Sequence, residues 1–126
     1  MSRPFKPTES ELEILSILWE KHKATVREVH QIVQKNKEVG YTTTLKLMQI
    51  MNDKGLVTRD ESSKTHIYIP FFEKGLAQEH YLGKIIKTLF SGSASQLVLQ
   101  ALGNHQASSE DLEEIKQLIE QLEKRK

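Results

Sequence analysis

The sequence predicts a mainly helical chain of the α+β class, in which three amphipathic helices, a two-stranded hairpin and three further helices follow one another. The helices are indicated by apolar residues that recur every three or four positions. The hairpin is indicated by Leu56–Asp60 and Thr65–Ile69, which are rich in Val, Thr, Ile and Tyr and flank the polar turn Glu61–Lys64. Three short helices followed at once by a two-stranded ribbon are typical of a winged helix-turn-helix.

The first two helices begin with the spacing of a capping box, in which Thr at the N-cap precedes Glu by three residues. Thr8 with Glu11 predicts a helix to about Lys21, and Thr25 with Glu28 predicts a second helix to about Lys35. Their apolar stripes consist of Leu12, Ile14, Leu15, Leu18 and Trp19, and of Val26, Val29, Ile32 and Val33. Trp19 is interpreted as a core residue.

The third helix is predicted over Thr42–Lys54 and ends at Gly55, since glycine adopts the left-handed cap without a steric penalty. With 100° of rotation per residue, Leu47, Met48 and Met51 lie on one side, with Ile50 at the edge of that side. Thr44 also projects toward the core side. The opposite side carries Thr42, Lys46, Gln49 and Asp53. A helix that presents such residues can enter the DNA major groove.

The candidate DNA-binding residues are Thr42, Thr43, Lys46 and Gln49 of the third helix, Tyr41 just before it, Arg27 of the second helix, and Arg59 and Lys64 of the hairpin. Gln pairs with adenine, Lys with guanine, and Thr with phosphate or a thymine methyl group. Lys64 lies at the hairpin turn, where phosphate contact is expected. A solvated surface is the alternative for the polar face and for Arg59. His66 is interpreted as an exposed strand residue, with phosphate contact as the alternative. Packing is the alternative for Tyr41, and helix capping or packing for Thr43.

The last three helices are predicted over Glu73–Phe90, over Ser95–Leu102 and from Ser108 or Ser109 onward. Their fifty or so residues are few for an independent core, so help from oligomerisation is expected. The candidate dimerisation residues are Leu97, Val98, Leu102, Leu112, Ile115 and Ile119. We therefore predict two domains, a DNA-binding domain at residues 1–72 and a helical dimerisation domain at residues 73–126. Packing of these helices against the first domain is the alternative.

Composition bounds the function without fixing it. The 126 residues carry a net charge of +1 and no cysteine. The sequence predicts no catalytic constellation, no metal site and no cofactor, because its five histidines are scattered and no phosphate-binding loop or nucleophile motif occurs. It also predicts a cytoplasmic protein without stable membrane association. The near-neutral charge is a weak electrostatic footprint for a DNA-binding protein, so a winged-helix module that binds other proteins is the alternative function.

Several segments carry a resemblance to a known family. They are PTESELEILSILWE at residues 7–20, ATVREV at 24–29, TTTLKLMQIMNDKGLV at 42–57, KTHIYIP at 64–70, LFSGSASQLVL at 89–99 and SSEDLEEIKQLI at 108–119. In this order they resemble the penicillinase-repressor family (BlaI/MecI), which also includes the CopY-type copper repressors. The resemblance covers nearly the whole chain.

The resemblance implies a homodimeric repressor that binds a two-fold operator of double-stranded DNA and dimerises through its C-terminal helices. It also implies release by cleavage after a Leu-Val-Leu-like run, in response to a membrane-bound sensor protease system. Here Leu97–Leu99 is followed by Gln100 and Ala101 rather than by the family's Asn-Phe pair, so Gln100–Ala101 is the candidate cleavage bond. The copper-responsive relatives have a cysteine cluster that this chain lacks, and copper sensing is not expected.

Overall fold

The computed structural model describes residues 5–126 and confirms the predicted class, with helices throughout and one two-stranded antiparallel sheet. The elements are α1 (Glu9–Lys21), α2 (Val26–Val33), α3 (Tyr41–Lys54), β1 (Val57–Asp60), β2 (Ile67–Pro70), α4 (Lys74–Leu89), α5 (Ala94–Asn104) and α6 (Ser109–Lys124). The chain divides into two compact units, Met1–His80 and Tyr81–Lys126, so α4 begins in the first unit and ends in the second.

Both predicted capping boxes are formed. The Thr8 hydroxyl accepts a hydrogen bond from the backbone nitrogen of Glu11 at 3.2 Å, and the Glu11 carboxylate accepts one from the backbone nitrogen of Thr8 at 2.8 Å. Thr25 and Glu28 repeat this arrangement at the start of α2. The predicted end of α2 at Lys35 is wrong, because the chain tightens into three-residue hydrogen-bonded turns after Val33.

The hairpin strands pair from Val57 with Pro70 to Asp60 with Ile67. β1 begins one residue later than predicted, and β2 begins two residues later, after the turn, and ends one residue later, at Pro70. Leu56 belongs to the cap of α3 instead, because its backbone nitrogen donates to the carbonyl of Met51 at 2.9 Å. Gly55 takes the left-handed conformation with φ of 80°, as its position at the helix end predicts. The strand therefore begins only after the helix cap is complete.

A bridge outside the hairpin joins it to the start of α2, which the sequence pattern did not predict. The backbone nitrogen of Ala24 donates to the carbonyl of Tyr68 at 3.0 Å, and the Tyr68 nitrogen donates to the Ala24 carbonyl at 2.8 Å. Ala24 and Tyr68 are both buried. Because Ala24 immediately precedes the N-cap of α2, this bridge fixes the second helix against the hairpin.

The core of the first unit lies between α1, α2, α3 and the hairpin. Its apolar side chains with almost no exposure are Ile14, Leu15, Leu18, Ala24, Val29, Met48, Met51, Leu56, Val57 and Tyr68. Thr44 is buried as well, as its predicted orientation requires. Trp19 is half-buried against this core, and its indole nitrogen donates to the carbonyl of Phe72 at 2.8 Å.

One ion pair in this unit has a buried carboxylate and a partly exposed ammonium group. Lys54, the last residue of α3, donates to the Glu11 carboxylate at 2.6 Å, and the Glu11 side chain is only 2% exposed. Lys54 also donates to the carbonyl of Lys6 at 3.3 Å. The glutamate that caps the start of α1 therefore also holds the end of α3. Burial raises the pKa of Glu11, but the hydrogen bonds from Lys54 and Thr8 outweigh this effect, and the pKa lies below its usual value.

The second unit contains α5, α6 and the end of α4. Ser93 caps α5 and Ser108 caps α6, because their hydroxyls accept hydrogen bonds from the backbone nitrogens of Gln96 and Asp111. The structure describes all of Tyr81–Lys126, and none of these residues is buried within the single chain. Leu97 and Ile115 are half-buried, and the other large apolar residues of α5 and α6 are mostly exposed. This unit therefore has apolar surface that its own residues leave uncovered.

Candidate nucleic-acid interface

The outward face of α3 presents the side chains that the sequence predicts to read bases. Thr42, Thr43, Lys46 and Gln49 are all exposed. The side chains of Met48 and Met51 on the other side of the helix are fully buried, so α3 cannot rotate about its axis without exposing its core face. Gly40 is the N-cap of α3 and provides no side-chain hydrogen bond. The helix therefore begins at Tyr41, one residue before its predicted start.

A shallow hollow of about 210 Å³ lies on this outward face, lined by Thr42, Thr43, Lys46, Leu47 and Ile50. Ile50 is 38% exposed beside Lys46, although its apolar character had placed it at the edge of the core face. An exposed aliphatic group next to Thr and Lys offers a contact for a thymine methyl group. Ile50 is therefore an additional candidate, and its position four residues after Lys46, on the same side of the helix, was the available signal.

A second concave surface, the wing cleft, lies between α2, α3 and the hairpin and has a volume of about 430 Å³. It is lined by Thr25, Val26, Arg27, Tyr41, Leu45, Gln49, Arg59, Lys64, Thr65, His66 and Tyr68. Five of the eight predicted DNA-binding residues lie here, and the other three lie in the hollow of α3. The lining includes cationic Arg27, Arg59 and Lys64 but no carboxylate. The wing cleft therefore suits an anion such as a DNA phosphate.

Tyr41 is held at the mouth of the wing cleft by two residues of α2. The ring of His30 meets the Tyr41 ring edge to face at 5.6 Å, and the guanidinium carbon of Arg27 lies 5.8 Å from its centre. His30 Nδ1 also lies 2.9 Å from the hydroxyl of the buried Thr44. Packing and DNA contact are thus compatible roles for Tyr41, because the ring is 42% exposed while its neighbours fix its position.

Arg59 is the most constrained cation of the hairpin. Its Nη1 atom donates to the Tyr68 hydroxyl at 3.3 Å, and its guanidinium carbon lies 5.8 Å from the centre of the Tyr68 ring. Its Nε and Nη2 atoms both lie 2.8 Å from one carboxylate oxygen of Glu61. The hydrogen bonds to Tyr68 and to Glu61 raise the pKa of Arg59 above its usual value.

The hairpin turn brings Lys64 and His66 to the same cleft. The Asp60 carboxylate accepts a hydrogen bond from the backbone nitrogen of Ser62 at 2.9 Å, which closes the turn and lowers the pKa of Asp60. The Ser63 hydroxyl donates to the Thr65 carbonyl at 2.9 Å. His66 had been interpreted as an exposed strand residue, but it is half-buried, lies outside β2 and lines the wing cleft. Arg3 and Lys6 are the basic residues that precede α1, and Arg3 lies outside the described residues.

Two other kinds of site were sought in residues 5–126. None of their helices combines the length and the apolar character that a membrane crossing requires. Over the same residues, no three His, Asp or Glu side chains come together as they would around a metal ion. The outward face of α3 and the wing cleft therefore remain the candidate functional surfaces.

Comparison with solved structures supports the fold. The chain matches the solution structure of the DNA-binding domain of the repressor BlaI with a TM-score of 0.52 and 18% identity. The match covers 59% of this chain and 90% of that domain. The predicted winged helix-turn-helix is thereby confirmed as the fold of the N-terminal part.

Comparison with curated proteins extends over the whole chain. The penicillinase repressor of Staphylococcus aureus is 25% identical over 120 residues, covering 92% of each chain. The penicillinase repressor of Bacillus licheniformis is 22% identical and covers 94% of this chain and 93% of its own. The methicillin resistance regulatory protein MecI of S. aureus strain N315 is 20% identical, with 94% and 96% covered.

The family assignment rests on a further match that spans most of the sequence. Residues 7–121 match the model of the penicillinase repressor family. This range includes α1 to α3, the hairpin and most of the C-terminal helices. Membership of a repressor family confirms the expectation that the chain is not an enzyme. The sequence, the fold and these matches agree, and the chain belongs to the penicillinase repressor family.

Proposed function

We propose that the chain is a DNA-binding transcriptional repressor that acts as a homodimer on a two-fold operator. The observation that carries the proposal is the convergence of the predicted contact residues on two adjoining surfaces, the outward face of α3 and the wing cleft. In this arrangement α3 enters the major groove and the wing cleft receives the sugar–phosphate backbone. Such a repressor acts in the cytoplasm, where its operator lies.

The roles of the individual residues follow from their chemistry. Lys46 and Gln49 are the base readers, with Thr42, Thr43 and Ile50 beside them for phosphate and methyl contacts. Arg27, Lys64 and Arg59 contact phosphate from three different elements around the wing cleft. This division between a reading helix and a surrounding set of cations accounts for a DNA-binding protein whose net charge is only +1.

Mobility-shift titration with the DNA upstream of the chain's own gene, at low and at physiological salt, tests the function. A shift that survives an excess of random DNA is expected, and it weakens as salt rises because counterions are released on binding. The absence of a shift at low salt would contradict the proposal. It would favour the alternative, a winged-helix module that binds other proteins.

Replacement of Gln49 by alanine tests the reading role. We expect a loss of about 1–3 kcal/mol in binding to the operator and relaxed preference at one base pair, because a bidentate amide contact to adenine would be lost. Titrations against a set of operators that differ at single positions measure both effects. Gln31→Ala is the matched control, since Gln31 is an exposed glutamine of α2 outside both surfaces. Equal losses on operator and random DNA would contradict base reading by Gln49.

The proposed homodimer forms through the second unit. Four of the candidate dimerisation residues are 39–50% exposed in the single chain, namely Val98, Leu102, Leu112 and Ile119. The other two, Leu97 and Ile115, are half-buried. Forty-six residues without a buried side chain do not form a stable core alone. A second copy of the same helices supplies the missing apolar surface. A symmetric dimer also matches the two-fold operator.

The proposed release is proteolytic, with a membrane-bound sensor protease system as the partner. The candidate bond Gln100–Ala101 lies inside α5, four residues before its end. The backbone carbonyls of both residues accept hydrogen bonds. The Gln100 carbonyl accepts one from the side-chain nitrogen of Asn104 at 2.9 Å, and the Ala101 carbonyl accepts one from the backbone nitrogen of His105 at 3.1 Å. Cleavage of such a bond requires local unwinding of α5, so its rate depends on how often the helix opens.

Glycine in α5 should therefore speed cleavage at this bond. Gln96→Gly costs the helix up to about 1 kcal/mol, and the population of the open state rises accordingly. Mass spectrometry of the chain from induced cells should show an N-terminal fragment that ends at Gln100 or within a residue or two of it, and more of it for Gln96→Gly. Ala107→Gly, in the loop between α5 and α6, is the control. An intact chain in fully derepressed cells would contradict proteolytic release.

A further inference from the structure

The hairpin carries a carboxylate in a position that bears directly on phosphate binding. Arg59 Nε donates a hydrogen bond to Glu61 Oε2 at 2.8 Å, and Arg59 Nη2 lies 2.8 Å from the same oxygen in an ion pair. This edge of a guanidinium is one that can bind two oxygens of a phosphate side by side. In the free chain the edge is already occupied by a carboxylate of the same hairpin.

The remaining contacts of Arg59 hold the guanidinium where a phosphate would meet it. Tyr68 is 1% exposed and receives the Nη1 hydrogen bond, and its ring lies beside the guanidinium. The Arg59 side chain is 22% exposed, whereas that of Glu61 is 54% exposed. The contact with buried Tyr68 therefore holds Arg59 in place, whereas the exposed side chain of Glu61 can move away from it.

The charged side chains of the hairpin determine which carboxylate neutralises Arg59. From Val57 to Pro70, Arg59 and Lys64 are balanced by Asp60 and Glu61, with His66 as the titratable neighbour. The Asp60 carboxylate is engaged with the turn backbone at Ser62, so Glu61 is the acid of the hairpin that neutralises Arg59. Because the Glu61 side of the pair is exposed, solvent screens its attraction to Arg59, so a well-placed phosphate can displace Glu61.

We propose that Glu61 is a specificity-determining residue that competes with DNA phosphate for Arg59. This inference rests on the proposed function. On DNA whose backbone follows the wing cleft, phosphate displaces Glu61 and Arg59 contributes a contact. On other DNA the intramolecular pair persists, and the hairpin attracts the duplex less. Glu61 thus lowers binding to arbitrary sequence more than binding to the operator.

The test compares four full-length proteins, namely the wild type, Glu61→Ala, Arg59→Met and the double variant. Methionine keeps an apolar side chain on Tyr68 but removes the guanidinium. Fluorescence anisotropy with a labelled random-sequence duplex measures affinity over a range of salt concentrations. The duplex upstream of the chain's own gene is measured in parallel. Thermal unfolding of each variant verifies that the fold is retained.

Glu61→Ala should bind the random duplex several-fold more tightly than the wild type. Its plot of log affinity against log salt should be steeper by about 0.9, the slope expected for one more phosphate contact on B-DNA. Binding to the upstream duplex should rise less, so the ratio of specific to random affinity falls. In the Arg59→Met background, Glu61→Ala should change neither affinity nor slope, because the cation for which carboxylate and phosphate compete is absent.

Two outcomes would overturn the inference while leaving the proposed function standing. One is wild-type binding to DNA with an unchanged slope for Glu61→Ala. The other is an equal effect of Glu61→Ala with and without Arg59, which would mean that the carboxylate acts only through its general charge. Failure of all four proteins to bind either duplex at low salt would overturn the proposed function, and the inference with it.

Discussion

A chain that ends at His80 should bind a two-fold operator about 10²–10⁴ times more weakly than the full chain, while binding a single half-site equally well. Every buried residue among those described lies between Phe5 and Ala77, so the first unit keeps its core when the second is removed. The truncated chain keeps the outward face of α3 and the wing cleft. What it loses is the link that makes binding of the second half-site intramolecular.

Sedimentation and operator titration check this expectation together. The full chain should sediment as a dimer and the truncated chain as a monomer. In the full chain, Ile119→Glu should act in the same direction, because it places a charge in the apolar stripe of α6. Gln117→Glu adds the same charge to an exposed polar position of α6 and is the matched control. A dimeric truncated chain, or equal operator affinity, would contradict dimerisation through the second unit.

Replacement of Lys54 by methionine should lower the free energy of unfolding by about 1–3 kcal/mol. Removal of one partner from a fully buried pair costs about 3–5 kcal/mol, and the smaller figure applies because the Lys54 side chain is 36% exposed. The cost arises because the Glu11 carboxylate stays buried with only the capping contact of Thr8. Lys37→Met is the matched control, since it breaks a pair with Glu13 in which both side chains are exposed.

The same pair gives the wild type a specific dependence on pH. Because the pKa of Glu11 is lower in the folded chain than in the unfolded chain, its contribution to stability is present above the unfolded pKa. That contribution is lost as the pH falls through the lowered folded value. In Lys54→Met the largest contribution that lowers the pKa of Glu11 is gone, so acid should destabilise this variant less than the wild type. Denaturant unfolding at neutral and acidic pH measures the difference, and parallel pH profiles would contradict it.

The sequence predicted those features that depend on neighbours within a few residues. The capping boxes at Thr8 and Thr25 and the helix end at Gly55 are local patterns with one geometric solution. The start of β1 was less predictable, because Leu56 can either pair with the opposite strand or complete the cap of α3. The pair of Lys54 with Glu11 joins residues 43 positions apart, and spacing along a sequence carries no signal for such a contact.

The features of the candidate site likewise divide into those that local spacing predicts and those that depend on contacts between distant residues. The face of α3 was predictable, since a rotation of 100° per residue separates Gln49 from Met51 wherever the helix packs. The meeting of Arg27 with Tyr41 was not predictable, because it depends on how α2 crosses α3. The partner of Arg59 had a signal that was overlooked, since residues two apart in an extended segment point to the same side. The dimerisation residues and the cleavage bond stay predictions.

The hydrogen bond from Trp19 to Phe72 gives this protein an intrinsic optical probe. The chain has a single tryptophan, and its indole lies half-buried where α1 meets the segment that follows the hairpin. Tryptophan emission therefore responds to loss of the N-terminal core. Far-ultraviolet circular dichroism responds to all of the helices α1 to α6. The two signals, recorded on one sample, distinguish concerted unfolding of the whole chain from separate unfolding of its two units.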